Sequence, residues 1–121
     1  MSKKISVLVI GCGNMGASHA ISYHNHKGFK ICGLVARGTS KNELNKKLEF
    51  NYPLFSDYKN AIIESSPDAV CISTYPDTHE EIALFALKNN CHIFIEKPIA
   101  ADLVGSRKII SEAKKLKKKV V

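Results

Sequence analysis

The sequence contains no apolar stretch that approaches the roughly 20 residues a helix needs to span a bilayer. It also contains no low-complexity tract and no obvious internal repeat. Its first residues join lysines to an apolar run, but that run is too short for a signal peptide and leads into glycines rather than a cleavage site. We therefore expect a cytoplasmic protein that does not bind a membrane.

Paired metal-binding and redox motifs are also absent, because the four cysteines form no C-x-x-C pair. Three cysteines lie in or beside apolar, strand-like runs, where a free thiol behaves as a small hydrophobic group. The histidines at positions 19, 24 and 26 have a mixed spacing that suits no metal site, so surface or packing roles are expected for them. We expect no metal and no disulfide, and buried structural thiols at Cys12, Cys32, Cys71 and Cys91.

Positive charge dominates, with 18 lysines and arginines against 11 acids and a formal net charge of +7. A basic domain can bind nucleic acid, an acidic surface or a phosphorylated ligand. Much of the excess lies in the lysine-rich stretch 114–119, where cations are favourable at a helix C-terminus. No aromatic-rich patch or reader motif accompanies the charge, so we expect a solvated face and no nucleic-acid partner.

Apolar runs alternate with helix-like segments along the whole chain. Its 121 residues, 45% of them hydrophobic, suit one compact domain. Such alternation predicts β-α-β units and a doubly wound α/β fold, with a parallel sheet in strand order 3-2-1-4-5. Strands are predicted at residues 5–10, 29–36, 54–55, 69–73 and 92–95. Helices are predicted at 14–26, from Thr39 or Ser40 to 48, at 58–64, from Pro76 to about 88, and from Asp102 onward.

A glycine-rich turn follows the first predicted strand and opens the first predicted helix. A G-x-G-x-x-G pattern alone is weak evidence, but this β-α-β context is the one that supports dinucleotide binding. Its first glycine permits the turn, its second lets a pyrophosphate approach the backbone, and its third lets helix and strand pack closely. The alternative is a glycine turn without a ligand. The predicted cofactor-binding residues here are Gly11, Cys12, Gly13, Asn14, Met15 and Gly16.

The end of the second strand lacks the acidic residue that usually binds the ribose hydroxyls of NAD. Arg37 stands there instead, followed by the hydroxyls of Thr39 and Ser40. An arginine can pair with the extra phosphate of NADP, and neighbouring hydroxyls can complete the pocket. We therefore expect NADP, with NAD as the alternative if Arg37 only stacks on the adenine.

A third motif, Glu96-Lys97-Pro98, follows the fifth strand at the edge where ligands bind in open parallel sheets. A lysine held there can polarise or protonate an oxygen beside the nicotinamide. By position alone, an ordinary surface lysine before a loop is an equally good interpretation.

Taken together, these motifs resemble the N-terminal domain of the Gfo/Idh/MocA oxidoreductases. The resemblance rests on the glycine turn, on the stretch 73–79 and on the stretch 96–100, and it covers essentially the whole chain. It implies that Lys97 contacts the nicotinamide ribose and the substrate hydroxyl and assists proton transfer, which makes it the candidate catalytic residue. It also implies that Ser73, Thr74, Tyr75 and Glu96 lie at the cofactor, while we expect His79 to have a packing or capping role.

Members of that family carry a second, C-terminal domain that supplies substrate contacts and the oligomer interface. That domain is absent here, so residues 1–121 are interpreted as the dinucleotide-binding domain of a longer homo-oligomer, inactive alone. Val120 and Val121 look like the start of a further strand. The expected reaction is hydride transfer between NAD(P) and a hydroxyl or carbonyl carbon of a sugar, cyclitol or related small molecule. The alternative is a dinucleotide sensor without chemistry.

Overall fold

The computed structural model describes residues 4–121, which form five strands and five helices. The strands are β1 (Ile5–Ile10), β2 (Phe29–Val35), β3 (Leu54–Phe55), β4 (Ala69–Ile72) and β5 (His92–Ile95). The helices that alternate with them are α1 (Asn14–Asn25), α2 (Ser40–Leu48), α3 (Tyr58–Ser65), α4 (Pro76–Lys88) and α5 (Leu103–Lys115).

All five strands join one parallel sheet in the order β3-β2-β1-β4-β5, which confirms the predicted fold and strand order. Strand β1 therefore lies at the centre, paired with β2 on one side and β4 on the other. Val120 makes a parallel bridge to Ile93, so the backbone after α5 pairs with β5 as a sixth strand would.

The second and fourth strands end one residue earlier than predicted, before Ala36 and Ser73. Both residues still donate backbone hydrogen bonds to a neighbouring strand, Ala36 to the Phe55 carbonyl (3.1 Å) and Ser73 to the Ile10 carbonyl (2.9 Å). The chain leaves the sheet at these points and enters the loops that form the site described below.

The central strand supplies apolar side chains to two separate core layers, because successive residues of a strand face opposite sides of a sheet. Leu8 and Ile10 pack with the layer that includes Ile62 of α3, Leu87 of α4 and Ile109 of α5. The alternate residues Val7 and Val9 face the other side and pack under α1 and α2, against Ala20 and Leu44. Helices thus cover both faces of the sheet.

Side-chain caps fix the starts of only some helices. Asp102 accepts a hydrogen bond from the Gly105 amide at 2.7 Å, which confirms the predicted cap of α5. Asp57 caps α3 in the same way through the Asn60 amide, at 3.3 Å. Thr39 occupies the cap position of α2, but its side chain makes no capping hydrogen bond. Helix α1 begins after Gly13 with no side-chain cap.

The four cysteines are free, as expected. Three of them are buried, whereas Cys32 is only half-buried. Burial raises the pKa of Cys12, Cys71 and Cys91 from 9.0 to about 11, so these thiols stay protonated at neutral pH. They behave as small apolar core groups, as the sequence predicted.

Candidate cofactor site

The turn between β1 and α1 can be built only with glycine at two of its positions. Gly11 has φ +97°, which side chains rarely tolerate, and a Cβ there would lie 2.8 Å from the Ser73 carbonyl carbon and oxygen. A Cβ on Gly16 would overlap the Gly11 carbonyl oxygen. The first glycine therefore permits the turn and the third permits close packing, as predicted.

Gly13 differs from these two glycines because its surroundings are open. Its φ of −73° suits any residue, and no heavy atom lies within 4 Å of the position a Cβ would take. It immediately precedes α1, whose first amides have no side-chain cap. Unpaired amides at a helix start, next to a position without a side chain, fit the pyrophosphate of a dinucleotide.

A cleft of about 710 Å³ opens above this turn, at the carboxyl ends of the strands. The loops after β1, β2, β3 and β4 all contribute to its walls. We call it the cofactor cleft. The structure brings together eight of the predicted cofactor residues in its lining, namely Gly11, Gly13, Asn14, Met15, Arg37, Ser73, Thr74 and Tyr75.

The other predicted residues do not line the cleft. Cys12 and Gly16 are buried beneath the turn, where the Cys12 thiol donates to the Val35 carbonyl. Thr39 and Ser40 lie further along the loop that carries Arg37 and begin α2. Two more residues, Glu96 and Lys97, follow β5 at the same edge of the sheet.

Arg37 is exposed at the cleft, on a short loop held by a lysine that the sequence analysis missed. The Lys41 ammonium donates to the carbonyls of Ala36 (3.0 Å) and Gly38 (2.6 Å). Its charge also reaches the glycine turn, where it partly offsets the effect of burial on the Cys12 pKa. A lysine four residues after Arg37, at a predicted helix start, was the available signal.

The sequence analysis also missed the side of the cleft formed by α3 and α4. Tyr58 donates a 2.6 Å hydrogen bond to the Glu81 carboxylate, and both residues line the cleft. Burial, followed by this bond, raises the pKa of the Tyr58 hydroxyl above its usual value. Thr78, in the first turn of α4, donates its hydroxyl to the Tyr75 carbonyl (2.7 Å) and lies 2.6 Å from the Thr74 hydroxyl, which ties the loop after β4 to its helix.

Glu96, Lys97 and Pro98 form the segment that leaves β5, which we call the Lys97 segment. The Glu96 amide donates to the Ile72 carbonyl at 3.0 Å, so the segment starts beside the end of β4. Lys97 is exposed, and within residues 4–121 its ammonium has no hydrogen-bond or ion-pair partner. The peptide bond between Lys97 and Pro98 is cis. An unpaired ammonium at the ligand edge is available to a bound substrate.

Two histidines contact the residues on either side of Lys97. His79 is fully buried, and its ring nitrogens lie 2.8 Å from the Pro98 carbonyl and 2.9 Å from the Thr74 carbonyl. This is the packing role expected from the sequence. His19, for which we expected a surface or packing role, lies 2.5 Å from the Glu96 carboxylate.

Comparison with known protein families places this chain in one family. Residues 5–121 match the model of the family described as an oxidoreductase family with an NAD-binding Rossmann fold. The chain belongs to the Gfo/Idh/MocA oxidoreductase family. This confirms the resemblance stated from the three motifs.

Relatives within the Gfo/Idh/MocA family include inositol dehydrogenases. The chain is 29% identical over 119 residues to the inositol 2-dehydrogenase of Corynebacterium glutamicum strain R, covering 98% of this chain and 35% of the relative. It is 31% identical over 111 residues to the myo-inositol 2-dehydrogenase of Thermotoga maritima, covering 88% of this chain and 32% of that protein. The chain thus spans about a third of the length of these relatives.

A solved structure shares the fold of this Gfo/Idh/MocA domain. The scyllo-inositol dehydrogenase of Lactobacillus casei, with bound NAD(H) and scyllo-inositol, superposes with a TM-score of 0.88 at 22% sequence identity. The superposition covers 98% of this chain and 36% of that one.

A second cleft of about 720 Å³ lies at the opposite edge of the Gfo/Idh/MocA domain, near the starts of β1 and β2. Basic and aromatic residues such as Lys30, Phe50 and Tyr52 line it, and it contains none of the three motifs. The cofactor cleft is therefore the candidate site.

Across the described part of the chain, no helix is long and apolar enough to cross a membrane. The same residues contain no group of three or more potential ligands that could hold a metal.

Proposed function

We propose that residues 1–121 form the cofactor domain of an NAD(P)-dependent dehydrogenase acting on a cyclitol or related sugar. The observation that carries this proposal is the open helix start at Gly13, which fits a pyrophosphate and faces the cofactor cleft. The substrate class is supported by the relatives named as inositol dehydrogenases. In this proposal the remaining substrate contacts and the homo-oligomer interface belong to a further domain.

The chain's own residues bind and orient the cofactor. The amides of Asn14 and Met15 would hold the pyrophosphate, and the loop of Ser73, Thr74 and Tyr75, which lines the same cleft, would hold the rest of the dinucleotide. The cofactor supplies the hydride donor or acceptor at its nicotinamide. Lys97 gives or takes the proton of the substrate hydroxyl, a role that typically accelerates a reaction about 10² to 10⁴-fold.

We further propose that the cleft prefers NADP. Arg37 lies exposed in the cleft with no partner in the described chain, and the loop 36–40 that carries it contains no acid. The hydroxyls of Thr39 and Ser40 follow on the same loop. Lys41 adds a second positive charge while it holds that loop in place. An arginine free to form a bidentate pair suits a phosphate better than a hydroxyl.

Titration of the chain with NADPH and with NADH at fixed salt, by cofactor fluorescence or calorimetry, tests both proposals. We expect tighter binding of NADPH, and Arg37→Asp should lose that preference because a carboxylate repels the 2′-phosphate. The effect should be about tenfold or more, the size of a charge-assisted hydrogen bond lost. Arg107→Asp, an exposed arginine of α5 outside the cofactor cleft, is the matched control and should change neither affinity.

Equal affinity for NADH and NADPH would retain the dehydrogenase proposal and contradict the role of Arg37. No binding of either would contradict the cofactor site itself. Binding without oxidation of any inositol or sugar by the full-length protein would favour the sensor over the enzyme.

A further inference from the structure

Lys97 itself is unpaired, yet the residues on both sides of it are held. Glu96 is bonded through its side chain to His19 of α1, and the Pro98 carbonyl lies 2.8 Å from a ring nitrogen of the buried His79 of α4. The two contacts come from helices on opposite faces of the sheet. The segment that presents the lysine is therefore clamped from both sides, while the lysine remains free.

The His19 contact is built into the same helix that opens at the glycine turn. Its Nε2 lies 2.5 Å from the Glu96 Oε1, with the two side chains 21% and 27% exposed. The ring also packs edge-on against Phe94 of β5, at 5.0 Å between centroids. A partly exposed side-chain contact of this kind contributes little to folding stability. It does fix where the Glu96 carboxylate lies, next to Lys97 in the sequence.

The His79 contact joins the Lys97 segment to the loop that lines the cofactor cleft. One ring nitrogen faces the Pro98 carbonyl and the other faces the Thr74 carbonyl. Because His79 is fully buried, this side of the segment has little freedom to move. On the other side, the Glu96 amide is bonded to the Ile72 carbonyl, and the Glu96 side chain is held by His19.

Glu96 is also the carboxylate adjacent to Lys97 in sequence. While it is bonded to His19, it is turned to α1 and has that partner instead of the ammonium. If this bond were lost, the released carboxylate could pair with the Lys97 ammonium and withdraw it from a substrate. The His19 bond thus holds the Glu96 side chain against α1 and occupies the carboxylate that would compete for the Lys97 ammonium.

We propose that His19 is a positioning residue for Lys97, acting through Glu96. This inference rests on the proposed function of Lys97 as the proton-transfer group. It gives Glu96 the task of anchoring the segment on α1, rather than contacting the cofactor directly.

The test on the 121-residue chain uses ¹³C-dimethylated lysines observed by NMR, with the Lys97 resonance assigned by its loss in Lys97→Arg. In His19→Leu, we expect the Lys97 resonance to shift because the freed Glu96 carboxylate approaches it. His19→Gln should restore the native position, since its amide can still donate to Glu96. His24→Leu removes another α1 histidine, which bonds Tyr52 away from the motif, and should leave Lys97 unchanged.

Turnover in the full-length dehydrogenase provides a second measurement. His19→Leu should lower kcat about tenfold, within the range for a misplaced proton-transfer group, while the KM for the cofactor stays constant. His19→Gln should recover most of this loss. A kcat that is unchanged in His19→Leu, or a loss that His19→Gln does not recover, would overturn the proposal.

An unshifted Lys97 resonance in a folded His19→Leu chain would likewise overturn the inference. If His19→Leu does not fold, His19→Ala removes the same bond while Glu96 keeps its carboxylate, and a native Lys97 resonance there would have the same meaning. The NMR measurement needs no turnover. Failure of the proposed enzyme function therefore appears in the cofactor and substrate assays, separately from failure of the His19 inference.

Discussion

At the scale of single residues, two glycines of one motif have different tasks. Gly13 has an ordinary φ and open surroundings, so Gly13→Ala should fold with a free energy of unfolding equal to or slightly above that of the wild type. The added methyl group would occupy the space a pyrophosphate needs, and cofactor affinity should fall at least tenfold. Urea unfolding and NADPH titration of the same sample measure both effects.

Gly16→Ala is the contrasting substitution in this experiment. Its Cβ would overlap the Gly11 carbonyl oxygen, so the chain should lose about 1–3 kcal/mol or more of stability through overpacking. A Gly13→Ala chain that unfolds as readily as Gly16→Ala would contradict the separate tasks. A Gly13→Ala chain that binds NADPH normally would contradict the pyrophosphate site.

Lys97 is the second residue whose substitution separates two effects. Its ammonium has no partner within residues 4–121, so Lys97→Ala should leave folding and cofactor affinity almost unchanged. If the proposed dehydrogenase function holds, turnover of the full-length protein should fall about 10² to 10⁴-fold, because proton transfer loses its positioned group. Steady-state kinetics with Lys88→Ala as an exposed-lysine control checks this. Equal losses of turnover and affinity would indicate a binding role instead.

At the scale of elements, the apolar runs identified the strands and their alternation with helices identified the topology. The 5–10 and 92–95 runs became β1 and β5 with the predicted bounds. The predicted cap at Asp102 was also correct, because a carboxylate just before a helix can accept a hydrogen bond from a free amide of the first turn. The glycine turn could be placed because Gly11 and Gly16 each meet a local backbone requirement.

The parts of the site that sequence reasoning missed depend on contacts between distant elements. His19 and Glu96 belong to α1 and to the end of β5, and nothing in their spacing indicates that they meet. The same is true of Tyr58 and Glu81, which become neighbours only when α3 and α4 pack on the same face. The sequence position of Lys41, close to Arg37, was a usable signal. Its bonds to the Ala36 and Gly38 carbonyls, however, depend on the conformation of the loop after β2.

At the scale of the whole molecule, the buried thiols predict a loss of stability in alkali. Cys12, Cys71 and Cys91 keep their protons to about pH 11 in the folded state, whereas unfolded thiols ionise near 9.0. Between these pH values the unfolded chain binds fewer protons than the folded chain. The free energy of unfolding therefore falls as the pH rises. The slope is at most about 1.4 kcal/mol per pH unit for each thiol.

Urea unfolding under reducing conditions at pH 8, 9.5 and 10.5 measures this slope. Cys91→Ala is the matched variant. It should make the slope of unfolding free energy against pH shallower by the contribution of one thiol. A free energy of unfolding that is constant across this range would contradict the alkaline shift of the thiols.

The central position of β1 also has a consequence for synthesis on the ribosome. The first strand and the glycine turn emerge early, but β1 gains its second neighbour only when β4 is made. At about 5–20 residues per second, the nascent chain spends several seconds with one edge of β1 unpaired. Gly11 meets the Ser73 backbone only after β4 arrives, and the Lys97 segment follows β5. A dinucleotide in this cleft would therefore select chains whose sheet is complete and hold them folded, and incomplete chains would be left to chaperones and proteases.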